Sequence, residues 1–215
     1  MNRTTRIIVS TLGVTLGIAG IDHGFFEALQ GNVPTPGLFV QAIGPANRMW
    51  VYGTEDAFTL VPNFLLTGIL AIILSFAIMI WSVGFVHKKN GSRVFILFCI
   101  LLFLVGGGVA QAVGFILVWA MATQINSPLT WWRKALSENA RKRLSPLWLF
   151  FLGIGSLLFL IALEIAIAGF VPDINNPMQK QYICWALLGL ALAAYLLSFI
   201  AGFAHDIQAK RMGQE

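Results

Sequence analysis

Charge is scarce in this chain. Only 11% of its 215 residues are Asp, Glu, Lys or Arg, where a soluble globular domain has about a quarter, and this excludes water as the main solvent. Cysteine is nearly absent too: Cys99 and Cys184 both lie inside apolar runs. They are read as small core residues, not as a disulfide or zinc framework. The three histidines are equally sparse. His87 and His205 fall at helix ends opposite His23, which argues against a bis-histidine haem. No Walker loop, dinucleotide fingerprint, Cys-X-X-Cys pair or nucleophile elbow occurs, and Gly106-Gly107-Gly108 lacks the Lys and strand context of a phosphate loop. The sequence names no cofactor and no metal. With no low-complexity linker to divide it, residues 1–215 are read as a single integral membrane domain.

What the chain has is apolar length. Hydrophobic residues make up 58% and the mean hydropathy is +0.80. The first run follows Arg3 and Arg6 in the manner of a signal peptide, but Asp22-His23-Gly24-Phe25-Phe26-Glu27 continues it without a small-x-small cleavage site. A retained helix is therefore expected. Four runs, Arg6 to Leu29, Phe58 to Val86, Leu147 to Val171 and Gln181 to Ala204, are each long enough to cross about 30 Å of hydrocarbon. The fifth, Val94 to Ile125, would make a helix of roughly 48 Å, and Gly106-Gly107-Gly108 favours a break near its middle.

Loop charges choose between one long helix and a hairpin. With a hairpin, Arg3, Arg6, Lys88, Lys89, Arg93, Arg133, Lys134, Arg141, Lys142, Arg143, Lys210 and Arg211 share one side, facing only Arg48 and Lys180 on the other. A single span would spread the cations almost evenly. The positive-inside rule selects the hairpin. The expected fold class is thus all-α, a polytopic bundle of six membrane segments at the cell membrane with both termini cytoplasmic. The hairpin arms, Val94 to Val105 and Val109 to Ile125, are short enough to be re-entrant. The net charge of +5 and pI of 9.6 follow from this asymmetry and do not indicate nucleic acid.

Two segments lie outside the spans. Gly31 to Ala57 has too many Pro and Gly residues for a long helix, and is expected to be an ordered outer loop whose Leu38, Phe39, Met49, Trp50 and Tyr52 suit an interface. Trp131 to Leu144, N-capped at Thr130 and ending before Pro146, reads as one cytoplasmic amphipathic helix. Arg133, Lys134, Arg141, Lys142 and Arg143 would face anionic lipid in the headgroup plane. The bilayer is the partner so implied, and a homo-oligomer or membrane complex stays open.

Ionisable groups within a span are costly, so each is a candidate for function. Glu164 should lie roughly 10 Å below the outer end of its helix. Asp22, His23 and Glu27 occupy the outer third of the first helix, Gln111 follows the glycine tip, and Asn63 opens the second span from the same side. Gly13, Gly17, Gly20 and Gly24 form a stripe suited to close helix contact, with Glu27 and His23 beside it on one face and Asp22 almost opposite. If Glu164 meets that face, His23, Glu27 and Glu164 form one cluster.

Such a cluster could bind or translocate a cation or proton, act as general acid and base on a lipid-like substrate, or hold an amine or polar headgroup without chemistry. A purely structural role, with His23 and Glu27 at the water boundary and Glu164 hydrogen-bonded between helices, competes with all three, as does an accessory subunit without activity. A His and a Glu four apart on one membrane helix, with a further Glu from another, is similar to the acid/base arrangement of the emopamil-binding sterol isomerase family. The likeness covers those three side chains and implies acid/base catalysis.

Overall fold

The computed structural model describes residues 1–212 and is mostly helical. The first helix, α1 (Arg3–Leu29), packs along α2 (Phe64–Gly84). The glycine stripe makes this possible. A Cβ on Gly13, Gly17, Gly20 or Gly24 would run into Ser82, Met79, Ser75 or the backbone of Gly68 on α2. Lipid tails are as apolar as leucine, so such close approach and interhelical hydrogen bonds hold membrane helices together. Ser10 Oγ accordingly donates to Ser82 O at 2.6 Å.

The Val94 to Ile125 run does fold back on itself. Helix α3 (Gly91–Leu104) and helix α4 (Val109–Ala122) are joined by the extended strand β3 (Val105–Gly108). Asn126 Nδ2 donates to His87 O at 3.0 Å, so the hairpin returns to the end from which it left. Each arm has 14 residues, roughly 21 Å and short of a hydrocarbon core. The phenylalanines Phe95 and Phe115 meet edge to face between the arms, fully buried.

The small sheet was not expected of an all-α chain. The outer loop contributes β1 (Phe39–Gln41) and β2 (Asp56–Thr59), and β3 adds to them antiparallel in the order β1-β2-β3. Ala57 pairs with Gly108 and Phe58 with Gly107. The glycine tip thus has its backbone groups in a ladder, as non-helical chain at this depth requires. The loop is also fastened to the other side of the molecule: Trp50 Nε1 donates to Ala166 O at 3.0 Å, satisfying one carbonyl of a helix end.

The cytoplasmic-type segment departs from expectation. Instead of one helix N-capped at Thr130 there are two short ones, α5 (Thr130–Ala135) and α6 (Glu138–Leu144). Thr130 is already helical, following Leu129 in the left-handed region. The break falls at Leu136-Ser137, because Ser137 starts a new helix by accepting from Ala140 N at 3.2 Å.

Helices α7 (Trp148–Ala168) and α8 (Pro177–Met212) form an antiparallel pair. At its far end α8 reaches α1, where the buried Asp206 carboxylate accepts from Thr4 N, Thr5 N and Thr5 Oγ1 at 2.7–2.9 Å. His205-Asp206 is thus a cap on α1. Among the described residues four helices are long and apolar enough to cross a membrane, and α3 and α4 are shorter apolar helices. Both cysteines are buried.

Candidate functional site

The polar side chains of α1 converge on the glycine tip. A strand alternates its faces, and in β3 residues 106 and 108 face α1 while Gly107 backs onto Leu102 and Phe103. A Cβ on Gly106 would fall on the Glu27 carboxylate, and one on Gly108 would lie 2.8 Å from His23 Nε2 and 3.0 Å from Glu55 Oε1. Gly106 has φ +114°, a conformation that only glycine adopts without strain. The three glycines therefore do two things here: they turn the chain between two half-helices, and they leave space for two side chains of α1.

Glu27 is fully buried, and neither carboxylate oxygen has a hydrogen-bond partner among the described residues. His23, one helical turn earlier, is buried and meets Glu55 Oε2 through Nε2 at 2.9 Å, while its Nδ1 has no partner. Glu55 Oε1 accepts from Ala110 N at 3.2 Å, in the first turn of α4. That places a carboxylate at the positive end of a helix dipole. Burial alone would raise the Glu55 pKa, but the His23 hydrogen bond and charge, helped by the Ala110 N–H, bring it below the usual carboxylate value. The Glu55 side chain is 42% exposed and that of His23 8%, so the pair connects the surface to the interior.

Further into the bundle, Gln111 Nε2 donates to Leu16 O at 2.6 Å, and its Oε1 lacks a partner. A Cβ on Gly20 would meet Ser75 Oγ and Gln111 Nε2 together, and Ser75 Oγ is likewise unpartnered. Leu102 packs beside this level, and Leu12, Phe95 and Phe115 continue the centre as packed apolar core. On the surface side a cavity of about 50 Å³ touches Asp22, His23, Thr54 and Glu55, with Leu163 and Ile167 of α7 as its far wall. A cavity of that size and polarity has room for one or a few waters.

Of the six residues singled out from sequence, His23, Glu27 and Gln111 gather along one face of α1 beneath the glycine tip, and Asp22 borders the small cavity. Asn63 caps α2, accepting from Leu66 N at 3.1 Å, and bonds Asn32 at the surface. Glu164 stands apart from Glu27. It is exposed, on the wall of a separate apolar notch between α7 and α8. Glu164 is within electrostatic reach of Asp22, but neither His23 nor Glu27 lines its notch. Among the described residues no group of three His, Cys, Asp or Glu side chains is arranged to hold a metal ion. Sequence reasoning passed over Glu55, since a single acid in a loop of breakers has no period or spacing to mark it. Thr67, which donates to Val105 O at 2.6 Å and pins the tip to α2, carried no signal either.

Compared with protein-family models, curated proteins and solved structures, the chain matches none. What the site does must be argued from its own chemistry.

Proposed function

We propose that this chain is a six-segment membrane protein, with both termini cytoplasmic, that binds a monovalent cation, the proton included, at Glu27 from the outer side. One observation carries the reading. A carboxylate with no exposure and two unpartnered oxygens is too costly to stand as a bare charge. It needs a proton or a cation, and a polar route toward it runs through the half-exposed Glu55 and His23. Two short helices meeting at an extended tip beside an acidic side chain share with many transporters the use of a helix break to hold coupling ions, here near the outer end of α1.

Two further features support binding over other activities. The cavity beside His23 is about 50 Å³, far below the several hundred Å³ that a lipid-like substrate would fill. The centre below Gln111 is packed with leucine and phenylalanine, which favours binding from one side over an open passage. The twelve-to-two division of basic residues supports the orientation.

Infrared difference spectra of the purified protein in nanodiscs, at stepped pH with and without sodium or potassium chloride, test the reading. A carboxylic-acid C=O band should be present, shift with pH or disappear when the cation is added, and be missing in Glu27→Gln. A band that responds to neither, or one that Glu27→Gln leaves intact, refutes it.

A further inference from the structure

The notch that holds Glu164 shares no lining residue with the surroundings of Glu27, although Asp22 of α1 lies within electrostatic reach of Glu164. The notch has a volume of about 460 Å³ and is lined by Leu160, Ile161, Ile165, Phe170, Ile183 and Leu187, among others, with Glu164 its one carboxylate. Glu164 lies four residues before the end of α7, roughly 6 Å along the axis, about one helical turn inside the end of that span. No basic side chain lies within ion-pair distance of it among the described residues. A lipid-facing carboxylate without a counter-charge is unfavourable, so the surface is incomplete without a cationic occupant.

We infer that this notch binds a phospholipid whose headgroup carries a primary ammonium, with the ammonium on Glu164 and an acyl chain along the Leu160, Ile161, Ile183 and Leu187 wall. Three observations select this occupant. The volume suits one ligand-sized molecule. The wall is built of large aliphatic and aromatic side chains, whereas a seam prepared for another helix carries small residues that let backbones approach. A second copy of the chain has few cations to offer at this level: only Arg48 and Lys180 lie on that side of the bundle in the hairpin topology. Lys180 precedes Ile183 by three residues and Leu187 by seven on α8, hence shares their face, and is the cation of α8 nearest in sequence to a lipid phosphate on that wall. A primary ammonium has three N–H donors to give a carboxylate; a quaternary one has none.

The test is binding of phosphatidylethanolamine and of phosphatidylcholine with matched acyl chains to the delipidated protein in detergent, followed by native mass spectrometry and thermal shift. The ethanolamine lipid should bind about tenfold more tightly, the worth of one charge-assisted hydrogen bond. Glu164→Gln should abolish that preference, while Glu27→Gln should keep it. Because Glu164 is exposed, its substitution leaves the fold intact. Equal binding of the two lipids, or a preference that survives in Glu164→Gln, overturns the inference. A change of oligomeric mass in Glu164→Gln without any lipid preference overturns it in favour of a protein neighbour. Loss of the Glu27 infrared signature alone would leave this site standing.

Discussion

At the scale of single residues, the glycine tip depends on two separate properties of one position. Gly106 has φ +114°, and a side chain there would meet the Glu27 carboxylate. Gly106→Ala is expected to cost about 1–3 kcal/mol from the backbone alone, with a steric contribution added. In thermal unfolding of detergent-solubilised protein the loss should shrink, without vanishing, in a Glu27→Ala background, because only the steric part is relieved. Gly153→Ala, at a helical glycine with open space around it, should cost nothing and gain up to about 1 kcal/mol of helix propensity. Equal losses at both positions would mean that the tip is no tighter than an ordinary helix surface. Sequence alone showed Gly106-Gly107-Gly108 as a helix break and His23 and Glu27 as neighbours on one face. It did not show that the break and the face touch, since glycine has no side chain whose pattern could point to its neighbour.

At the scale of elements, the outer loop is fastened at one point by a titratable pair. Glu55 joins His23 to the first turn of α4, and its folded pKa lies below the ordinary 4.5. A carboxylate with a depressed folded pKa contributes stability that is fully present above its unfolded value and is lost as pH falls through the folded one. Amide exchange in Phe39–Gln41 and Asp56–Thr59, corrected for intrinsic rates, should therefore lose protection only below about pH 4.5. The loss should be about fivefold or less, since a half-exposed ion pair is screened. In Glu55→Gln the protection should be lower near neutral pH and should no longer vary across that window. A loop whose protection falls instead near pH 6 would place the control elsewhere. The hairpin itself was legible before any coordinates, because twelve basic residues must go somewhere and glycine breaks helices. The sheet was not: β1 and β2 have only three and four residues, too few for an alternating pattern, and β3 is three-quarters glycine. The paired short helices α5 and α6 were read as one for a related reason. Ser137 looks like any polar residue on a charged face until its side chain is seen to cap Ala140.

At the scale of the whole molecule, the fold itself gathers the start of α1, the far part of α8 around Asp206, the turn after α2 and the segment after α4 at one face. Asn2 N donates to Ile125 O at 2.6 Å, Thr4 and Thr5 bind Asp206, and Asn126 binds His87. The opposite face carries the sheet and the turn between α7 and α8. The orientation proposed from the charge asymmetry puts the first face in the cytoplasm. Cys99 and Cys184 are buried, so the parent chain offers little background to a membrane-impermeant thiol reagent, and single cysteines can be introduced without removing them. Asn139 on α6 and Asn175 in the α7–α8 turn are both exposed. Asn175→Cys should be labelled from outside intact cells and Asn139→Cys only after the membrane is opened. Were residues 94–125 a single span, Asn139→Cys would react from outside and Asn175→Cys would be shielded. Labelling of both from the same side would be worse still for the fold, because it would place α7 as an element that does not cross at all, and with it both Glu164 and the outer position of its notch.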